Sequence, residues 1–194
     1  MIADVDFEKM FQLALDKIAD RNLKSEAVAA AEQIKSADLP AQAVEEDKGA
    51  PQEPETSKAL GLQIREMSIP QRIKLAMFGN QTARAILLRD SNRLIPFFVL
   101  ENPRLTDNEI FEISKNTQVD ENILRAVGNN MQWMKSYAVK YALVSNPKAP
   151  IDVTIRWLKF IKDKDLTRLA KSKGIPQVVA NQARKLAEKR SPEG

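Results

Sequence analysis

The chain contains no cysteine and no histidine. Without these residues it cannot form a disulfide bond, a thiolate nucleophile or a serine–histidine catalytic pair. The usual zinc sites are excluded for the same reason, because cysteine and histidine build them. A carboxylate-only magnesium or calcium site stays open on these grounds, but the sequence has no spaced Asp/Asn loop of the calcium-binding kind. We therefore expect a protein that is not an enzyme and has no catalytic, metal-ligating or cofactor-binding residues.

Glycine and aromatic residues are scarce, with 6 glycines and an aromatic share of 6%. This scarcity disfavours a twisted sheet with tight hairpins, since strands favour aromatic side chains and tight turns favour glycine. Apolar residues make up 43% of the chain, which suffices for a core. Alanine, leucine, lysine and glutamate are good helix formers and are abundant, so the composition predicts an all-α fold.

The sequence also lacks an export signal and a long apolar run. The N-terminus carries Asp4, Asp6 and Glu8, where a secretory signal has basic residues followed by an unbroken apolar stretch. The best apolar run, 94–100, contains Pro96 and is far shorter than the roughly 20 residues that span a bilayer. We expect a cytoplasmic protein.

The net charge of +4 is divided unevenly along the chain. Residues 1–67 hold 8 basic and 14 acidic residues, whereas residues 68–194 hold 22 basic and 12 acidic residues. The asymmetry indicates either a basic surface for an acidic partner such as nucleic acid, or an acidic arm that screens a basic body. Solvated helix faces are the simplest interpretation of such charge runs.

The N-terminal region, 1–35, carries apolar residues at helical spacing. The main stripe contains Phe7, Met10, Phe11, Ala14 and Ile18. A weaker, alanine-rich stripe runs from residue 23 to residue 34, so the region predicts an amphipathic helical hairpin. The face of Phe7, Met10, Phe11 and Ile18 is a candidate partner-binding face that inserts into a groove. Alternatively, it docks on the rest of the chain or on a second copy.

The next region, 36–67, combines prolines and acidic residues with few large apolar side chains. Such a composition does not offset the entropy of ordering, so we expect a flexible acidic linker. From residue 68 the apolar periodicity returns. We therefore divide the remainder into a basic helical-repeat domain, 68–190, and a tail, 191–194.

Helix starts and stops are easily recognised in the region 68–190. Ser68 followed by Pro70 predicts a helix start, and Thr106 with Glu109 is a capping box. Asn102-Pro103 and Asn146-Pro147 predict helix ends, because the residue before proline avoids the α conformation.

Two pairs of segments in this region resemble each other. Residues 75–80 (LAMFGN) align with 124–129 (LRAVGN) at an offset of 49, and 97–103 (FFVLENP) align with 141–147 (YALVSNP) at an offset of 44. Helix, asparagine-containing break and helix thus recur at a spacing typical of solenoid proteins. The string from residue 73 to residue 185 resembles the α-solenoid group that includes HEAT-like repeats and the leucine-rich-repeat variant, and it is similar to an uncharacterised bacterial family of that type. The resemblance implies stacked short helix pairs and a role in protein interaction.

The C-terminal part of the chain is strongly basic. Residues 156–190 contain 11 basic and 3 acidic residues. The candidate patch for nucleic acid or another acidic partner comprises Arg156, Lys159, Lys162, Arg168, Lys171, Lys173, Arg184 and Lys185. No recognition-helix motif and no aromatic stacking motif accompanies these residues, so a protein is the first partner class and nucleic acid the alternative.

Four aromatic residues could be interpreted as the lining of a ligand-binding site: Trp133, Tyr137, Tyr141 and Trp157. Their helical spacing favours packing in the core, with the indole and phenol groups at its edge.

Overall fold

A computed structural model describes residues 4–18, 21–45 and 54–190. Within these ranges the chain is helical or connects helices, and it contains no strand. The predicted all-α class is therefore confirmed. None of the helices in the described ranges is long and apolar enough to cross a lipid bilayer.

Fourteen α-helices and one 3-10 helix are formed by these described residues. In chain order they are α1 (Asp4–Lys17), α2 (Arg21–Ala29), α3 (Ala31–Ser36), α4 (Ala41–Val44), α5 (Pro54–Glu66), α6 (Ile69–Phe78), α7 (Gln81–Leu87), α8 (Ile95–Val99), α9 (Asp107–Lys115), α10 (Glu121–Asn129), the 3-10 helix η1 (Trp133–Lys135), α11 (Tyr137–Val144), α12 (Ile151–Leu158), α13 (Asp163–Lys171) and α14 (Gln177–Arg190).

The chain divides into two compact units, Met1–Leu105 and Thr106–Gly194. This division differs from the sequence-based one, which separates regions at residues 35 and 67. The physical reason is that helices from both sides of those boundaries pack together: α3 and α4 contact α6, and α5 contacts α7.

The range 36–67, for which the sequence predicts an extended linker, contains the helices α4 and α5. In α5, Leu60 and Ile64 lie one turn apart and are buried, and this narrow apolar stripe packs the helix onto its unit. Proline at the first position suits a helix start, which explains why Pro54 begins the helix instead of breaking it. Residues 46–53, at the centre of the predicted linker, and the predicted tail, 191–194, lie outside the described residues.

The two predicted helix starts are capped as the sequence indicates. Ser68 Oγ accepts from the Gln71 N–H, and Gln71 Oε1 accepts from the Ser68 N–H at 2.9 Å. Thr106 and Glu109 make the same reciprocal pair at the start of α9. Each box satisfies two of the backbone N–H groups that a helix start leaves without a partner.

Three helix triplets follow each other in the chain: α6–α7–α8, α9–α10–α11 and α12–α13–α14. In each triplet the third helix contacts both of the others. The first triplet belongs to the unit Met1–Leu105, and the other two belong to the unit Thr106–Gly194. The third helices α8 and α11 are rich in buried apolar side chains, among them Phe98 and Leu143, which are fully buried.

Candidate functional site

The end of the first triplet is fixed by the buried side chain of Asn102, which is 3% exposed. Asn102 Nδ2 donates to the carbonyls of Ala76 and Gly79, at the C-terminal end of α6, at 3.0 Å each. Asn102 Oδ1 accepts from the N–H of Arg104 at 2.9 Å. Carbonyls at a helix end have no partner within the helix, so the asparagine both caps α6 and turns the chain after α8.

Asn146 makes the same contacts in the second triplet and is equally buried. Its Nδ2 donates to the carbonyls of Ser114 and Asn116 at the end of α9, at 2.8 and 3.1 Å. Its Oδ1 accepts from the N–H of Lys148 at 2.9 Å. The alignment of 97–103 with 141–147 thus corresponds to equivalent hydrogen bonds.

In the third triplet the corresponding contact comes from Arg190, which lies 44 residues after Asn146. Its guanidinium donates to the carbonyls of Lys159 and Ile161, where α12 ends, and its Nη1 also lies 3.1 Å from Asp163. A planar guanidinium with several donors can satisfy two carbonyls and a carboxylate together. Each triplet therefore ends on a side chain that caps its own first helix.

The second sequence alignment, of 75–80 with 124–129, has no such structural counterpart. Gly79 follows α6 and Asn80 caps α7, where its Oδ1 accepts from the Ala83 N–H. Gly128 and Asn129 instead lie inside α10 as its last two residues. The sequence similarity at the offset of 49 residues therefore aligns positions that are not structurally equivalent.

The N-terminal candidate face lies within the unit Met1–Leu105. Phe7, Phe11 and Ile18 are buried, and Met10 is half-buried. The ring of Phe11 stacks on that of Phe98 with centroids 5.4 Å apart, and Lys17 pairs with Glu101 beside it. This geometry is the docked arrangement that the sequence left open, and binding of a partner by the same face stays a prediction.

All eight residues of the C-terminal candidate patch are exposed. On α13, Lys164, Arg168 and Lys171 follow one another at helical spacing, opposite the buried Leu166 and Leu169. On α14, Arg184 and Lys185 are exposed while Val179, Ala180 and Ala183 are buried. The helix pair α13–α14 therefore turns its apolar residues inward and its basic residues to solvent.

Few acidic groups offset this charge. Among the described residues, Arg168 approaches Asp165 at 3.6 Å, and Arg190 approaches Asp163. Arg156 and Arg184 donate to uncharged acceptors, the Asn129 side chain and the Ala170 carbonyl. Within the described ranges, no carboxylate pairs with Lys159, Lys162, Lys171, Lys173 or Lys185. The surface of α12–α14 is thus positively charged and open to an anionic partner.

Aromatic rings lie beside Lys162 of this surface and beside Lys140 of α11, a combination that sequence reasoning missed. We define the aromatic strip as Tyr137, Tyr141, Phe160, Lys140 and Lys162. The Lys162 Nζ lies 4.7 Å from the Tyr137 ring centroid, and the Lys140 Nζ lies 5.8 Å from that of Phe160. The rings of Tyr137 and Tyr141 stack at 6.4 Å. Phe160 is 60% exposed.

Trp157 and Tyr137 lie largely where the helical spacing predicts, in the core and at its edge. Trp157 is buried, and its Nε1 donates to the Gly128 carbonyl at 2.7 Å. Tyr137 is half-buried and donates from its hydroxyl to Asp165 at 2.5 Å. Burial raises the pKa of Tyr137, and the hydrogen bond to Asp165 acts in the same direction. Core packing with a polar group at the edge thus accounts for Trp157, whereas Tyr137 lies at the edge of the core with Lys162 beside its ring.

The acidic residues of the described ranges form no group of three or more that could hold a metal ion. Asp107 and Glu109 lie in the first turn of α9, where Glu109 completes the capping box. Acidic side chains at this position stabilise a helix through its dipole, which is a sufficient reason for their presence.

No protein-family model matches the chain, and no curated protein or solved structure proved similar to it. The surface chemistry of the chain itself is therefore the basis on which a function can be inferred.

Proposed function

We propose that this chain is a non-enzymatic interaction scaffold, built as a HEAT-like α-solenoid, that binds an acidic macromolecule. The recurrence of helix triplets with equivalent caps supports the repeat architecture. In such architectures one short unit has a wider apolar face than it can bury alone, so neighbouring units complete the core.

The observation that carries the proposal is the exposed basic surface of α12–α14. Residues 156–190, which make up most of these helices, contain eleven basic and three acidic residues. The basic members of the candidate patch are all exposed. Charge of one sign on a surface raises the association rate of an oppositely charged partner and selects against partners of like charge.

A protein with an acidic face is the first candidate partner. The resemblance to helical-repeat proteins favours it, since solenoids use extended surfaces for protein binding. The test is affinity capture with the full chain at low salt, followed by elution with rising salt. Acidic proteins that elute in the salt gradient support this candidate, and their retention by a variant with Lys164, Arg168 and Lys171 changed to glutamate would contradict it.

Nucleic acid is the second candidate, and the exposed lysines and arginines of α13 and α14 favour it. Phosphate contacts by such side chains release counterions, so the affinity for nucleic acid falls steeply with salt. Fluorescence anisotropy of the full chain with generic duplex and single-stranded DNA across a salt series tests this candidate. A steep slope supports it, and the absence of binding at low salt removes it.

A cytoplasmic location and a bacterial source belong to the same proposal. The resemblance of residues 73–185 to a bacterial family of helical-repeat proteins supports both. Fractionation of cells that express the tagged full chain tests the location, because a cytoplasmic protein stays in the soluble fraction.

A further inference from the structure

We infer that the aromatic strip is a binding site for single-stranded nucleic acid, in which bases stack on the rings and phosphates contact the neighbouring ammonium groups. The inference rests on the basic surface invoked under the proposed function, and it specifies the ligand and the residues. Binding proteins for single strands combine a positively charged path with aromatic side chains on which successive bases stack.

Phe160 presents an exposed aromatic ring at a fixed position. It follows α12 directly and packs at an angle of 49° against Trp157, with ring centroids 5.5 Å apart. Trp157 is buried, whereas Phe160 leaves 60% of its surface in solvent. The buried indole thus holds an exposed phenyl ring in place, and a ring fixed in this way loses little conformational entropy on binding.

Lysine side chains lie beside the rings of the aromatic strip. Lys140 on α11 reaches the ring of Phe160, and Lys162 before α13 reaches the ring of Tyr137. The contact between α11 and α12 brings these segments together. Ammonium groups therefore lie within 6 Å of an exposed ring, Phe160, and of a half-buried ring, Tyr137. The exposed ring of Phe160 offers a stacking surface next to a phosphate contact.

An exposed aromatic ring distinguishes single strands from other anionic partners. In a duplex the faces of the bases are stacked on one another, so only unpaired bases can stack on a protein ring. An acidic protein segment supplies carboxylates for the ammonium groups but no such planar faces. The Asp165 carboxylate accepts a hydrogen bond from the Tyr137 hydroxyl, and the Lys162 ammonium group lies over the Tyr137 ring.

The experiment compares Phe160→Ala with the full wild-type chain by fluorescence anisotropy. The probes are a labelled oligo(dT) of about 16 nucleotides and a labelled duplex of the same length. We expect Phe160→Ala to raise the Kd for oligo(dT) about five-fold or more, which is the effect of losing one base–aromatic stack, and to leave the Kd for the duplex unchanged.

Two further variants make the comparison decisive. Met131→Ala is the matched control, because Met131 is 65% exposed in the same unit and lies outside the strip. It should leave binding to both probes unchanged. Phe160→Trp keeps a stacking surface and should retain the wild-type affinity for oligo(dT).

An unchanged Kd for oligo(dT) in Phe160→Ala overturns the inference while leaving the basic surface as a phosphate-binding face. An equal loss for both probes also overturns it, because it indicates a general effect of the substitution. If wild-type protein binds neither probe at low salt, the inference and the nucleic-acid candidate fall together, and an acidic protein partner is left as the proposed function. Circular dichroism of each variant verifies the helical fold.

Discussion

Phe97 in the unit Met1–Leu105 and Tyr141 in the unit Thr106–Gly194 both lie five residues before a capping asparagine. Phe97 is buried, with 8% exposure, whereas Tyr141 is half-exposed and belongs to the aromatic strip. The hydrogen bonds of Asn102 and Asn146 are equivalent. The two units therefore share this cap and differ in the exposure of the aromatic residue five positions before it. Under the proposed function, the cap supplies stability and the exposed surface of the unit Thr106–Gly194 supplies binding.

The largest effect is expected from placing a charge at the two caps. In Asn102→Asp and Asn146→Asp a carboxylate oxygen replaces the donating Nδ2 and faces two carbonyl oxygens in a buried site. Each substitution should destabilise its unit by about 3–5 kcal/mol, because it buries an unpaired charge and leaves two carbonyl oxygens without their hydrogen-bond donor. Urea unfolding followed by circular dichroism measures this.

The shared cap requires similar losses at the two asparagines. Asn108→Asp is the control, because Asn108 is exposed in the first turn of α9, where a negative charge is mildly favourable. A large loss at one asparagine and none at the other would show that the caps are not equivalent.

The next largest loss of stability is expected where α1 packs on α8 in the unit Met1–Leu105. Phe11→Ala should destabilise this unit by about 3 kcal/mol, because the substitution removes a buried ring stacked on Phe98. Leu13→Ala in the same helix is the control and should cost far less, since Leu13 is 45% exposed. Equal, small effects in urea unfolding would show that α1 is not docked, which would strengthen its candidacy as a partner-binding helix.

A smaller effect distinguishes two glycines within helices. A Cβ at Gly128 would lie 2.2 Å from Val153 Cγ1, so Gly128→Ala should cost about 1–3 kcal/mol through overpacking between α10 and α12. Gly61 in α5 has only Ile86 Cδ1 nearby, at 4.0 Å, and Gly61→Ala should stabilise the protein by about 0.5–1 kcal/mol. Thermal unfolding of both variants tests this difference, and a stabilising Gly128→Ala would refute the close packing.

The smallest effect is a dependence on pH in the unit Thr106–Gly194. Arg125 Nη1 donates to Asp152 Oδ2 at 2.7 Å, and this hydrogen bond lowers the pKa of Asp152. A carboxyl with a lowered folded pKa adds stability above its unfolded pKa and loses it as the pH falls through the folded value. Because both side chains are well exposed, the contribution is below about 1 kcal/mol.

Unfolding of the wild type and Asp152→Asn at neutral and acidic pH detects this contribution. The difference in stability between them should be present at pH 7 and shrink toward pH 3. A difference that grows on acidification would have the wrong sign for the Arg125 pair.

The sequence predicts the helix class and the capping residues because these depend on neighbours in the chain. Ser68 and Thr106 open helices, and Asn102 and Asn146 end them, through contacts that span two to three residues. The acceptors of the two asparagines lie 23 to 32 residues away and were not predictable from local patterns.

Other features depend on packing between helices that the sequence does not display. Among the described side chains of α5, only Leu60 and Ile64 are buried, so the composition of the helix resembles that of a linker. Phe160 lies three residues after the buried Trp157, a spacing that is also typical of two neighbouring core residues. Its exposure depends on how the surrounding helices pack, which the sequence does not display. The basic residues of α13 and α14 were predicted as a patch, but their exposure became clear only from the fold.

Charge reversal in each of the two units tests directly whether binding depends on the surface of α12–α14. One variant changes Lys164, Arg168 and Lys171 of α13 to glutamate, and its counterpart changes the exposed Lys58, Arg65 and Arg89 of the unit Met1–Leu105. Both variants alter the net charge equally, and binding to oligo(dT) and to captured acidic proteins is measured at low salt. We predict that the α13 variant loses binding and that its counterpart keeps most of it. An equal loss in both would mean that binding follows net charge, which would contradict a binding surface on α12–α14.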